Sequence, residues 1–520
     1  MMHDARAVTE AQAAELLDRA KDAERRARYG QALDLLTACG DWPNPYAEQG
    51  FLLRAAVLTG SDPIAALQDL ARHAGAFTTP ASRFAYLTAS ARAYSKARNF
   101  DAAQAMLETA QSALEDGADP RRHEIAYLRS HLRWNRREYD PHDEELAFAL
   151  RAADPALRFN ALNLRSWMHA GLEQHAAQLQ DLIECLRLYE RHGVACGLAN
   201  VALTLQTTLA LAWELHEPEA ARLGEAIFDA MDWTPEIQVH RFLCARALAW
   251  HAFLRGDSAC AQWLFKDSKE YAPTLAWKVM AHVDRAYVAR INLNDAWAAE
   301  ELHEAHAIAR NVDWHSTRDE ERMALITLAL LFAQTDLGHA QRYVSTYIEL
   351  GANNLHSSIE ASHEPRRNVA HQKYASGRVQ AMLGHTSLAA RDFEDAYAIF
   401  CEIGFHFRAA LVAQALHELT GDLRWLENAR AHAEKFPCSA LAERLRGATS
   451  NRTCAEIPGL TSTQREIAIA HCQGVDVSEL SRRFSRSAFT IGKQLEAIYA
   501  AFGVRSRTAL RDELQLRGVL

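Results

Sequence analysis

Several things are missing from this 520-residue chain. No run of about 18 uncharged apolar residues occurs, and the start, Met1-Met-His-Asp-Ala-Arg, is not a basic stretch leading into an apolar one. A membrane-spanning helix and a secretory leader are therefore not expected, and a cytoplasmic location is. The nine cysteines (Cys39, Cys185, Cys196, Cys244, Cys260, Cys401, Cys438, Cys454, Cys472) are widely spaced and never form C-x-x-C, so they read as reduced thiols. Phosphate-wrapping G-x-x-x-x-G-K-[ST], dinucleotide G-x-G-x-x-G and nucleophile-elbow G-x-S-x-G patterns are all absent. No enzyme class is indicated, and no cofactor is expected. His356, His363, Glu364 and His371 share one polar stretch, but without the spacing that puts two ligands on one helical face. That stretch, 351–371, reads as a loop, and no metal is expected.

Proline is also scarce, 13 residues, and strand-type alternation is rare from Glu10 to Leu445. What fills the sequence instead is Ala, Leu, Arg and Glu, with 49% hydrophobic and 24% charged residues, a helix-forming vocabulary. Small and large apolar residues recur at matching offsets: Ala91, Tyr94, Phe100, Ala103, Leu107, Ala110; then Ala249, Ala252, Gly256, Ala261, Phe265, Ser268; then Gly377, Gln380, Gly384, Ala389, Phe393, Ala396. Weaker copies centre on Ala32, Ala176, Ala221, Ala298 and Ala340.

These offsets resemble the tetratricopeptide repeat, in which small residues let two antiparallel helices approach and larger ones fill the gap to the next pair. The resemblance implies an all-α fold, a tetratricopeptide-like α-solenoid over residues 1–446. Its first helices would carry an inward-facing set, Arg165, Trp213, Arg246, Trp250, Tyr287, Arg290, Tyr374 and Arg378. Aromatic planes and guanidinium forks suit a small-molecule or peptide effector.

The net charge of −9 hides a contrast, because the residues from Leu460 onward hold nine basic against six acidic side chains. Residues 447–459, polar and broken by Pro458, read as a linker. Beyond it, helix-start signals come in quick succession: Thr461 with Gln464, Asp476 with Glu479, Ser487, and Ser506. They predict helices from Thr461 to about Gln473, through Phe484, from Ala488 to about Phe502, and from Thr508 to about Leu516. Ile467, Ala470, Leu480, Phe484, Ile491, Leu495, Ile498, Phe502, Val504 and Leu510 would form their core.

The residues Leu460-Thr461, Glu466, Gly474, Glu479-Leu480, Ser487, Thr490-Ile491, Leu495, Ile498-Tyr499 and Phe502-Gly503-Val504-Arg505-Ser506-Arg507 resemble, in register, the LuxR/GerE helix-turn-helix pattern. The resemblance implies a four-helix DNA-binding domain over 460–520 whose third helix enters the major groove. Carried over by position, Gly492, Lys493 and Glu496 face the groove, and Ser487, Thr490 and Arg507 meet the backbone. Gln494 stands where the family usually has His, and Arg482, Arg483, Arg486, Lys493 and Arg505 supply phosphate contacts. Gly492 and Glu496 replace residues that are usually basic, which leaves the groove face poor in positive charge.

The implied protein is a bacterial, homodimeric transcription regulator that binds double-stranded DNA, contacts RNA polymerase and answers to an effector or protein in its repeats. The competing reading is a repeat scaffold whose helix-turn-helix no longer binds DNA.

Overall fold

The computed structural model describes residues 9–39, 42–43, 46–114, 119–357, 366–453, 460, 462–472, 475–484, 487–504 and 506–516. The chain divides into two compact units, Met1–Ser439 and Ala440–Leu520. Among the described residues there is no strand.

The first unit is a tandem array of helical hairpins. It opens with α1 (Glu10–Arg25) and α2 (Tyr29–Ala38), α3 (Ala47–Ser61) and α4 (Pro63–Arg72), then α5 (Pro80–Lys96) and α6 (Phe100–Ser112). It continues with α7 (Arg122–Asn135) and α8 (Glu144–Ala149), α9 (Pro155–Gly171) and α10 (His175–His192), then α11 (Leu198–Glu214) and α12 (Pro218–Ala230). Next come α13 (Gln238–Leu254) and α14 (Ser258–Glu270), α15 (Leu275–Ile291) and α16 (Asp295–Ala309), then α17 (Asp319–Phe332) and α18 (Leu337–Ser357). The last pairs are α19 (Arg366–Met382) with α20 (Thr386–Glu402) and α21 (His406–Thr420) with α22 (Leu423–Ala433). Partners within a hairpin pack on each other, and first helices such as α3, α5 and α7, or α15, α17 and α19, pack in succession. This is the tetratricopeptide-like α-solenoid that the offsets predict.

Two local rules recur in most of the hairpins. The fourth residue of the second helix is small and buried: Ala32, Ala66, Ala103, Ala221, Ala261, Ala298, Ala340 and Ala389 are each at most 1% exposed. Closest approach of the two helices falls there, and a larger side chain would push them apart. Ala66 belongs to this series although the sequence offsets did not single it out. Ala176, expected as a centre, is instead exposed, and Gln178 holds the buried position on α10.

The second rule concerns the turn. Ala27, Arg98, Arg137, Glu173, His216 and Leu293 have positive φ, and Gly256 and Gly384 take the same place in their hairpins. A left-handed residue costs roughly 1–2 kcal/mol when it carries a Cβ. Each is held by a wide capping bond across the turn, as when Asn99 N–H donates to Tyr94 O at 2.9 Å and Asn294 N–H to Ala289 O at 2.9 Å.

The stretch 351–371, expected as a loop, is helical at both ends, since α18 runs to Ser357 and α19 starts at Arg366. His363 and Glu364, and the side chain of His356, lie outside the described residues.

The second unit holds α23 (Ala440–Thr453), α24 (Ser462–Cys472), α25 (Val477–Arg483), α26 (Ala488–Phe502) and α27 (Arg507–Leu516). Residues 447–453, expected as linker, continue α23, because one glycine at 447 costs a helix only about 1 kcal/mol. The rest of that linker, 454–459, and the cap Thr461 lie outside the described residues. Asp476, Ser487 and Ser506 each accept a backbone N–H three residues on, from Glu479 at 2.8 Å, Thr490 at 3.1 Å and Ala509 at 3.1 Å. Gly503, at φ +67°, ends α26. Ile467, Ala470, Leu480, Ile491, Leu495, Ile498, Leu510 and Leu514 form the core, with Phe484, Phe502 and Val504 packed against it.

Candidate functional site

The inward set divides in the structure. All eight residues lie on first helices, α9, α11, α13, α15 and α19. Trp213, Trp250 and Tyr287 come together: the two indoles stack at 5.3 Å between centroids, and Tyr287 meets Trp250 edge-on at 6.1 Å. Arg246 lies one turn before Trp250 and pairs with Asp284 of α15 at 3.1 Å. The others are dispersed along the array. Arg165 is bound to Asp181 of α10 at 2.9 Å, and Arg290 to Gln334. Arg378 pairs with Glu418 at 2.8 Å and lies over the rings of Tyr374 and Phe393.

Expected as surfaces open to a ligand, Trp213 and Trp250 are core residues, 4% and 1% exposed. The covering groups come from α21 of the same chain. Phe407 packs on both indoles, at 6.4 and 6.1 Å, and the Arg408 guanidinium sits over their faces at 5.0 and 5.7 Å. Arg408 also pairs with Glu214 at 3.4 Å. Neighbouring turns follow suit: His175 meets Phe405, His216 meets Phe436, and Arg366 N–H donates to Glu173 at 2.7 Å. At the array's start, Arg26 and Arg28 both reach Asp232, at 3.3 and 3.2 Å.

Sequence reading named Arg246 but missed Glu214, Arg367 and Arg408 beside this aromatic cluster. Burial raises the Glu214 carboxyl, opposed by Arg408, Arg246 and Arg367. Burial, reinforced by Arg408, Arg367 and Arg246, pushes His371 well below the usual histidine range, so its imidazole is neutral at pH 7. Three guanidinium groups thus act on Glu214 from α13, α19 and α21. Trp250 Nε1, Arg408 Nε and Glu214 Oε2 are buried without a hydrogen-bond partner among the described residues. Buried polar atoms of this kind are commonly met by ordered water. No fixed spacing could have flagged Arg408, because its partner Glu214 is 194 positions away in sequence.

No described group of three or more His, Cys, Asp or Glu has the geometry to hold a metal. No described helix is long and apolar enough to cross a membrane.

In the second unit, α26 turns Ile491, Leu495 and Ile498 inward and Phe489, Lys493, Glu496 and Ala500 outward. Ser487 and Thr490 join hydroxyls at 2.8 Å on the exposed first turn. Gly492 is half-buried, and a Cβ added to it would meet nothing within 4 Å. Lys493 is paired with Glu496 of its own helix at 3.0 Å, and Arg482 is paired with Glu479. Arg483 and Arg507 are exposed, whereas Gln494 is half-buried with its Oε1 unpartnered. Arg486 and Arg505 lie outside the described residues. His471 Nε2 and the Tyr499 hydroxyl, 2.9 Å apart, tie α24 to α26.

No family model matches the sequence, and no curated protein matches it. Three solved structures resemble it at low identity. A Rap protein complexed with competence and sporulation factor has 12% identity and a TM-score of 0.44, over 71% of this chain and 99% of that one. The apo quorum sensor NprR from B. thuringiensis has 11% and 0.43, over 76% and 99%. Yeast Tom70 has 12% and 0.30, over 85% and 97%. With each of these TM-scores below 0.5, the likenesses add nothing to what the residues say.

Proposed function

We propose that this chain is a non-enzymatic, cytoplasmic transcription regulator whose second unit binds double-stranded DNA as a helix-turn-helix dimer and whose repeats bind an effector or a protein. The observation that carries the proposal is α26. It is a capped helix pinned by Ile491, Leu495 and Ile498, with its opposite face bare and arginines 482 and 483 ending the helix before it. A cylinder held in that way can enter a major groove while flanking cations meet phosphates. Effector or protein binding is supported by the solenoid itself, because stacked helical hairpins present an extended binding surface.

Because Lys493 and Arg482 are already paired with glutamates, affinity is modest, and the phosphate contacts that do form make it fall as salt rises. A gel shift with genomic fragments, comparing wild type with Arg482/Arg483/Lys493→Ala, tests the reading. The variant should bind more weakly and lose about three from the slope of log K against log salt. Equal shifts by both proteins, or none by either, defeat the proposal. The internal ion pairs of α25 and α26 favour the second reading, a repeat adaptor whose tail docks protein, and no shift by either protein is its expected result.

A further inference from the structure

The outward stripe of α26 carries an aromatic residue that folding does not need. Phe489 is 76% exposed, more than any other described large hydrophobic residue, and it stands two positions past the Ser487 cap. Next along the same side are Gly492, with open space where a Cβ would be, and the Lys493–Glu496 pair. Arg482 and Arg483 lie at the end of the preceding helix. The pattern is an apolar tip, a gap and a cationic margin.

In a duplex major groove, the walls are phosphates and the floor is polar base edges, broken by one apolar group, the C5 methyl of thymine. The geometry points to Phe489 as a specificity-determining residue that reads this methyl, with Gly492 letting the helix backbone come close to the bases. The inference rests on the DNA-binding reading above. A protein partner is disfavoured because one isolated aromatic between a gap and an ion pair offers no continuous apolar surface to bury.

The test uses the full chain and a pool of randomised duplexes, synthesised once with thymine and once with uracil, which differs only by that methyl. The best duplex from the thymine pool is remade with uracil at each thymine in turn. Wild type should lose about fourfold in affinity at one or two positions, the value of one buried methyl, and Phe489→Ala should bind thymine and uracil versions alike. Since Phe489 is exposed, the variant keeps its fold. Equal wild-type binding to both versions overturns the assignment while DNA binding stands. Failure to enrich any duplex from either pool removes both.

Discussion

Glycine-to-alanine substitution should have opposite signs at two helical positions of this chain. In a helix interior the exchange is worth up to about 1 kcal/mol in favour of alanine. At Gly377, on α19, the new Cβ would lie 2.6 Å from Phe393 Cδ1 and Cε1 and 3.3 Å from the Ala389 carbonyl oxygen. Carbon atoms prefer about 3.5 Å, so the ring must retreat by about 0.9 Å. It has little room, because Phe393 is 1% exposed and bears on Tyr374 and the Arg378 guanidinium. Overpacking of this kind costs about 1–3 kcal/mol, and disturbing the ring pair adds about 1. Gly377→Ala should therefore be destabilising by about 1–3 kcal/mol net. At Gly492 nothing lies within 4 Å, so Gly492→Ala should stabilise α26 by about 1 kcal/mol. Hydrogen exchange resolved by segment reads both effects: faster exchange over 366–402 in the first variant, slower over 488–502 in the second. If Gly377→Ala slows exchange, the close approach of α19 and α20 does not constrain the hairpin, and the reasoning is wrong.

Other consequences follow from the same geometry. Leu293 is 73% exposed at positive φ, so Leu293→Gly relieves strain without losing packing and should raise the urea midpoint by the equivalent of about 1 kcal/mol. Burial, with Arg255 and His216 nearby, pushes His251 down from 6.5 to about 4, and neither ring nitrogen has a partner. The unfolded chain therefore takes up a proton that the native state refuses, and stability drains away as pH falls from about 6.5 towards 4. At pH 5.5 this histidine accounts for about 1.4 kcal/mol of the loss, which His251→Phe should abolish in urea titrations at pH 7.5 and 5.5. Asp284 is 2% exposed and depends on Arg246, so Arg246→Ala should cost about 3 kcal/mol or more. Arg246→Met with Asp284→Leu should restore most of it; a double variant as weak as the single one would show that the pair does more than satisfy itself.

Local signals were legible where one or two turns decide the structure. Asp476, Ser487 and Ser506 cap the helices they were expected to cap, since a side chain reaching an amide three residues on needs no tertiary help. Buried alanines were equally readable at Ala261 and Ala389, but not where Gln178 takes the alanine position. Nothing in Arg98 or Leu293 announces the left-handed backbone that capping bonds impose there and that Gly256 and Gly384 adopt at the same place. Of the inward residues, Trp213, Trp250 and Tyr374 are more buried than an open groove would leave them. Whether Trp213 faces solvent depends on Phe407, and periodicity carries no information about contacts that far apart.

In a repeat array where every hairpin touches only its neighbours, damage at one end stays there and the molecule peels from its tips. Here Asp232 holds two arginines 206 and 204 positions upstream, and Glu214 holds one 194 positions downstream. The exposed Asp232 pairs contribute little, but Phe407 and Arg408 tie α21 to α11 and α13, so loosening the turn before α21 also uncovers two tryptophans in the middle of the chain.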